Sequence, residues 1–217
     1  LTGAAPSVQK ARMSVTNPGR PAKQRILEAA VTLFAHRGYD GTSFNDISEL
    51  CGAKRSLILY HYSSKDELWR LAVSAVCQRF NDEMEQRLDS QADSPDEARI
   101  RAAMGAYIDT LIAVPEYGQI MLREGGSPGP RLDWMAQNFA PPVTISIRFR
   151  DPAFSRRVKR SVLRDVISAT CLGITALGPL LDVSLATAIS RPNAGVYPLT
   201  RKRRDEVIDL LMRLVTE

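Results

Sequence analysis

The sequence predicts an all-α chain, with an N-terminal three-helix domain that contains a helix-turn-helix and a larger helical domain behind it. Three observations carry this. Apolar residues recur at three- and four-residue spacing through most of the chain. Strand signals are scarce. Two short periodic segments meet at a single glycine, Gly52, as a helix-turn-helix requires.

Composition narrows the class. Of 217 residues, 44% are hydrophobic and 24% charged, which excludes a disordered or collagen-like chain. Three cysteines, an odd and small number, exclude a disulfide scaffold, and free thiols point to a reducing cytoplasm. The uncharged stretch from Val166 to Leu181 is 16 residues long and contains Pro179, whereas a spanning helix needs about 20. Residues 1–25 lack an apolar run, so no secretory signal is expected. The net charge is +5, and residues 1–66 hold nine basic side chains against five acidic ones. A basic end on a near-neutral body suggests a polyanionic partner, nucleic acid or an anionic membrane surface.

Taken in order, residues 1–19 read as a flexible basic arm, rich in small residues and proline and without apolar period. A domain over 20–66 follows. Its first helix shows Ile26, Leu27, Ala30, Leu33 and Phe34 on one face, with Pro21 in the first turn and Gly38 past the end. The second is expected to start at Thr42 as N-cap, with Phe44, Ile47, Leu50 and Cys51 inward and Gly52 as the stop. The third begins at Lys54 or Arg55 and runs to about Tyr62. A fourth starts at Ser64, where Ser64 and Glu67 match a capping box.

Residues 67–217 are expected to form the second domain. Ile100–Ala113 is periodic, Pro115 opens a short helix ending near Gly125, and 125–130 is a Gly/Pro loop. The run 143–149 alternates like a strand but has no partner nearby and is read as helical. Residues 156–181 form the longest expected helix, with two apolar seams. One comprises Val162, Val166, Ala169, Gly173, Ala176 and Leu180; the other comprises Leu163, Ile167, Thr170, Ile174, Leu177 and Leu181. A helix apolar on two faces is buried on both. One face packs on its own domain, and the other suits a second copy. The last helix spans about 200–215, with Val207, Ile208, Leu211 and Leu214 expected inward.

The segment Thr42–Tyr62 carries the functional signal. With Phe44, Ile47, Cys51, Ala53, Ile58 and Tyr62 inward, the second of its helices turns Arg55, Ser56, Leu57, Leu59, Tyr60 and His61 outward. Such a face can read base edges and thymine methyls and grip phosphates. Cys51 reads as a small core residue rather than a redox sensor.

Residues 23–69 resemble the DNA-binding domain of TetR-type transcriptional regulators. The matching blocks are Ile26-Leu27-Glu28-Ala29-Ala30, Leu33-Phe34, Gly38-Tyr39, Thr42-Ser43, Asp46-Ile47, Gly52, Tyr60-His61-Tyr62 and Ser64-Lys65-Asp66-Glu67-Leu68. Lys54 stands where a small polar residue is usual, Leu59 where many members have Tyr, and Leu57 where Thr, Ser or Ala is common. These departures bear on base preference, not on fold. The resemblance implies that Arg55 and Ser56 face base edges and that Leu57 and Leu59 meet thymine methyls. It implies that Tyr60, His61 and Lys65 hold phosphates, with Lys54 as a further cation. Thr42 and Ser43 would meet the backbone, and Asn45 a base or phosphate. Lys10, Arg12 and Arg20 would reach the minor groove as an arm.

The resemblance also implies that the second domain dimerises and binds a small effector, so that a homodimer reads a roughly palindromic double-stranded DNA operator. Candidate effector contacts are Tyr107, Leu111, Met121, Trp134, Phe139 and Thr170, with Arg123, Glu124 or Arg148 as polar anchor, and the effector is expected to be mainly apolar. The helix from Ser64 is the expected lever between the halves. Release from DNA by ligand then follows from linkage.

No catalytic, metal or nucleotide motif is found. His36 and His61 both lie in the first domain, and no His/Cys/carboxylate cluster has metal-ligand spacing. No cofactor is expected. Arg201-Lys202-Arg203-Arg204 reads as a solvated helix surface, with Arg201–Asp205 and Lys202–Glu206 pairs. The alternatives are a helical protein acting at an anionic membrane through its basic arm, and an unrecognised enzyme using carboxylates.

Overall fold

The computed structural model describes residues 19–88, 94–139, 149–158, 161–177 and 199–216. Among them are ten helices and no strand. Lys10, Arg12, Arg148 and the run 143–148 lie outside the described residues.

Packing divides the chain into two units. One extends to Arg79 and takes in Gln119–Trp134; the other comprises Phe80–Gly118 and the chain from Met135 onward. This differs from a boundary at 66/67, because Leu68, Trp69, Ala72 and Val73, past that point, are buried side chains of the first unit.

The first unit opens with α1 (Ala22–Arg37). Ile26, Ala29, Ala30 and Phe34 are buried on one face, and Gly38 closes the helix by donating its N–H to the Phe34 carbonyl at 3.0 Å. α2 (Phe44–Cys51) is capped by Ser43, not Thr42. Both residue types cap well, and Asp46 decides between them. Asp46 stands three residues after Ser43, and the two exchange side-chain-to-backbone bonds as a capping box. The Thr42 hydroxyl is used elsewhere, donating to the Gly38 carbonyl at 2.9 Å.

Gly52 ends α2 in the left-handed region at φ 68°, ψ 14°, where a side chain is strained. The Ser48 hydroxyl donates to the Ala53 carbonyl at 2.7 Å and closes the turn into α3 (Arg55–His61). Tyr62, buried at the end of α3, donates its hydroxyl to the Lys23 carbonyl at 2.9 Å and ties α3 to the first turn of α1. Burial pushes its phenol pKa up.

α4 (Lys65–Leu88) is the longest described helix. Its Ser64 cap accepts from the Glu67 N–H at 3.0 Å, but the Glu67 carboxylate reaches one residue further back, to the Ser63 N–H at 2.7 Å and the Ser63 hydroxyl at 2.6 Å.

In the second unit, α5 (Asp96–Ala113) is the central helix. α9 (Ser161–Ala176) and α10 (Arg201–Thr216) pack on it and on each other, and α8 (Pro152–Val158) packs on α9. Of the expected helix over 156–181, residues 156–158 lie in α8 and 161–176 form α9, while 159–160 and 178–181 lie outside the described residues. Ile167 and Cys171 of α9 are buried, whereas Val166 of one expected seam and Leu177 of the other are exposed, so neither seam is packed along its whole length. In α10 the packed face is Ile208, Leu211, Met212 and Val215. Leu214, expected inward, is exposed together with Leu210. Arg204 pairs with Asp109 of α5 at 2.8 Å and with Asp205 at 2.9 Å, so the basic cluster is partly committed to packing. Phe80 stacks on Tyr117, with centroids 3.9 Å apart, and meets the edge of Tyr107. The remaining helices, α6 (Pro115–Gly125) and α7 (Pro130–Asn138), each pass from one unit to the other along the chain.

Three carboxyls sit below the usual carboxylate range. Hydrogen bonds from Ser43 lower Asp46, those from Ser63 lower Glu67, and the backbone N–H groups of Asp151 and Arg150 lower Asp96. A depressed folded pKa contributes stability that is present above the unfolded value, about 3.9–4.3, and lost as pH falls through the folded value. The urea midpoint is therefore expected to be flat from about pH 7 to 5 and to drop below about pH 4. Asp46→Asn should lower it at pH 6 and make the acid fall shallower. A midpoint for Asp46→Asn that matches wild type at pH 6 would refute this role.

Candidate nucleic-acid interface

The helix-turn-helix is built by burying one side of two short helices. Ile47 and Cys51 of α2, Ala53 in the turn, and Ile58 and Tyr62 from α3 point inward. With Ile58 completely buried, the seven-residue α3 has a fixed rotation about its axis. That rotation exposes Arg55, Ser56, Leu57, Leu59 and Tyr60, with His61 half-buried between Tyr60 and Tyr62 at ring distances of 5.2 and 6.4 Å. Tyr60 is 82% exposed. The placement of two leucines and a tyrosine outward on a short surface helix fits a surface that is covered on binding.

The remaining expected contacts fall less uniformly. Ser43, Asn45 and Lys54 are exposed. Thr42 is buried with its hydroxyl engaged, so only its neighbours offer side chains at the start of α2. The Lys65 ammonium lies 4.3 Å from the centroid of the Tyr39 ring. Arg20 pairs with Glu28 at 2.6 Å.

Three residues of this region have contacts that the sequence reading did not assign them. Arg37 pairs with Asp46 at 2.7 Å beside the start of α2. Tyr39 stacks on Phe34, meets the edge of Trp69, and carries Lys65 and Arg131 over its ring. Arg123 donates to the Ala35 and His36 carbonyls at the end of α1, at 3.0 and 2.5 Å. For Arg37, nine residues before Asp46 and across a turn, spacing gave no signal. For Arg123, 87 and 88 residues away from its acceptors, there was none.

The expected effector contacts divide between the units. Tyr107, Leu111, Phe139 and Thr170 belong to the second; Met121 and Trp134 belong to the first, where Trp134 packs on Trp69 at 5.4 Å. Of the candidate polar anchors, Arg123 is hydrogen-bonded to the end of α1, and buried Glu124 pairs with Arg131 at 2.9 Å. Burial pushes the Cys77 and Cys171 thiols up to about 12, so neither holds a thiolate near neutral pH. Among the described residues no group of three or more His, Cys, Asp or Glu is placed to hold a metal, and no helix is long and apolar enough to cross a membrane.

Comparison with known proteins agrees with this surface. Residues 26–71 match the family described as bacterial regulatory proteins, tetR family. The biofilm operon icaADBC HTH-type negative transcriptional regulator IcaR of Staphylococcus epidermidis is 40% identical over 60 residues, covering 28% of this chain and 32% of that protein. IcaR of Staphylococcus aureus strain Newman is 34% identical over 59 residues, covering 27% and 32%. The chain thus spans about a third of the length of the curated relatives it matches.

Solved structures extend the likeness in fold to most of the chain. A putative transcriptional regulator from Streptomyces coelicolor aligns with a TM-score of 0.57 at 15% identity, covering 89% of this chain and 98% of that one. A TetR-like transcriptional regulator from Rhodococcus sp. RHA1 aligns with a TM-score of 0.53 at 18% identity, covering 92% and 96%. These relatives are transcriptional regulators, not enzymes.

Proposed function

We propose that this chain, whose residues 26–71 match the tetR family of bacterial regulatory proteins, is a ligand-responsive transcriptional repressor, acting as a homodimer on a roughly palindromic operator. The observation that carries this reading is the outward face of α3: Arg55, Ser56, Leu57, Leu59 and Tyr60 exposed on a helix whose rotation buried Ile58 fixes. Arg55 is the reader of a guanine edge, since a bidentate Arg–guanine pair is the commonest specific contact. Leu57 and Leu59 meet thymine methyls. Tyr60, His61, Ser43, Lys54 and Lys65 supply phosphate contacts, and Asn45 a base or phosphate contact.

The dimer rests on the open faces of α9 and α10. Val166, Leu177, Leu210 and Leu214 are exposed, and the two helices pack together, so a two-fold partner can cover both. Two α3 helices then sit about one DNA turn apart, ~34–36 Å, or a multiple of it.

The effector site belongs to the second unit, at Tyr107 and Leu111 of α5 and Thr170 of α9. Beside them on α5, the completely buried Thr110 hydroxyl has no partner among the described residues. A buried hydroxyl left unpaired is costly, and a mainly apolar effector with one hydrogen-bonding group would satisfy it. Ligand that favours the released form weakens DNA binding by the factor by which DNA weakens ligand binding.

Selection of bound fragments from the source genome at near-physiological salt, followed by sequencing, tests the reading. A single enriched, roughly palindromic site is expected. Arg55→Ala should relax preference at one base position per half-site, at a cost of about 1–3 kcal/mol against the correct base. Uniform weak recovery by the wild-type dimer would sink the proposal; unchanged preference in Arg55→Ala would sink the assignment of Arg55.

A further inference from the structure

The DNA-reading unit is not made from the N-terminal third alone. Residues 119–134, entering from α6 and continuing into α7, belong to it. Their grip is polar and specific. The Arg123 guanidinium donates through Nε to the Ala35 carbonyl at 3.0 Å and through Nη2 to the His36 carbonyl at 2.5 Å. These are among the last carbonyls of α1, which have no partner inside the helix and carry the negative end of its dipole. A cation there serves as a C-cap supplied from another part of the chain.

The same segment holds the turn that follows. Glu124, buried, pairs with Arg131 Nε at 2.9 Å. The Arg131 guanidinium lies 4.4 Å from the Tyr39 ring centroid and 3.6 Å from the Asp40 carboxylate. The turn has little slack, since a Cβ at Gly41 would come within 2.5 Å of the Arg37 carbonyl oxygen. Thr42 folds back on Gly38, and Ser43 then caps α2. From there, buried Ile47, Cys51 and Ile58 and the Ser48–Ala53 bond fix α3 against α2.

We propose that Arg123 is a positioning residue for DNA binding: by closing the end of α1 it sets where α2 starts and how α3 is presented, without touching DNA itself. This rests on the DNA-reading role proposed above. Because Arg123 acts on the frame and not on a base, its removal weakens binding evenly across sequences, unlike removal of Arg55.

The test uses the full-length chain and the operator retrieved by the wild type. Arg123→Ala should bind that operator about tenfold more weakly, the order set by losing two charge-assisted hydrogen bonds. Its base preference should be unchanged, at a temperature where circular dichroism shows both proteins fully folded. Arg123→Lys, which keeps the cation and can reach a carbonyl, should recover most of that loss. Amide hydrogen exchange over residues 38–51 should quicken in Arg123→Ala and return toward wild type in Arg123→Lys.

Operator affinity within twofold of wild type in Arg123→Ala overturns the proposal. So does a changed base preference, which would make Arg123 a reader. If Arg123→Ala does not fold, the same comparison on Arg123→Gln decides. If the wild type enriches no site, the DNA-reading role itself fails, and the exchange experiment still judges the positioning: quicker exchange upholds it, and unchanged exchange refutes it.

Discussion

Trp69→Ala is expected to destabilise the first unit by about 3–5 kcal/mol, the cost of truncating a fully buried aromatic side chain. Trp69 is 1% exposed. It meets Tyr39 edge-on at 6.2 Å and Trp134 at 5.4 Å, so truncation removes two aromatic contacts as well as leaving a cavity. The loss reaches three parts of the chain at once: α4, which carries Trp69; the turn after α1, which carries Tyr39; and the middle of α7, which carries Trp134. Urea unfolding followed by circular dichroism at 222 nm measures it, since the chain has only two tryptophans and emission would change for trivial reasons. Trp134→Ala, at a half-buried position, should cost clearly less. A loss below about 1 kcal/mol for Trp69→Ala would mean that the unit is not packed around this ring.

What the sequence made legible follows from how local each cause is. α1, α2 and α3 are set by spacing within a turn or two and by glycines at 38 and 52, and their ends fall within a residue or two of expectation. The one cap misplaced in that region, Thr42 for Ser43, had a local answer in Asp46 that the choice of cap type alone overlooked. Farther on, periodicity gives the faces of a helix but not their neighbours. α10 has apolar residues on two adjoining faces, and spacing could not say that Ile208, Leu211, Met212 and Val215 are packed while Leu210 and Leu214 stay exposed. Arg123 and Glu124 illustrate the limit most sharply. Each was a candidate polar anchor for a ligand, as was Arg148. Their partners are backbone carbonyls 87 and 88 residues away and an arginine seven residues on, and only the fold brings the carbonyls near.

The exposed face of α10 leads to the second large effect. Leu210→Glu combined with Leu214→Glu is expected to convert the proposed dimer to a monomer. The two leucines are 59% and 48% exposed in the isolated chain, and α9, which packs on α10, exposes Val166 and Leu177 at 41% and 43%. Covering such a face by a two-fold copy brings each leucine near its own counterpart or a neighbour. Glutamates there would be like charges taken out of water without partners, which costs several kcal/mol per interface. Sedimentation at micromolar concentration should show a species of half the wild-type mass. Operator affinity should fall roughly 10²–10⁴-fold, because two linked reading heads become one and the second binding event is no longer intramolecular. Binding to an isolated half-site should be unchanged, since α3 is untouched. Leu71→Glu serves as the control: Leu71 is an exposed leucine of α4 in the other unit, and its replacement should leave mass and operator affinity as in wild type. A doubly substituted protein that still sediments as a dimer would place the two-fold contact elsewhere and leave the open face of α10 without its partner.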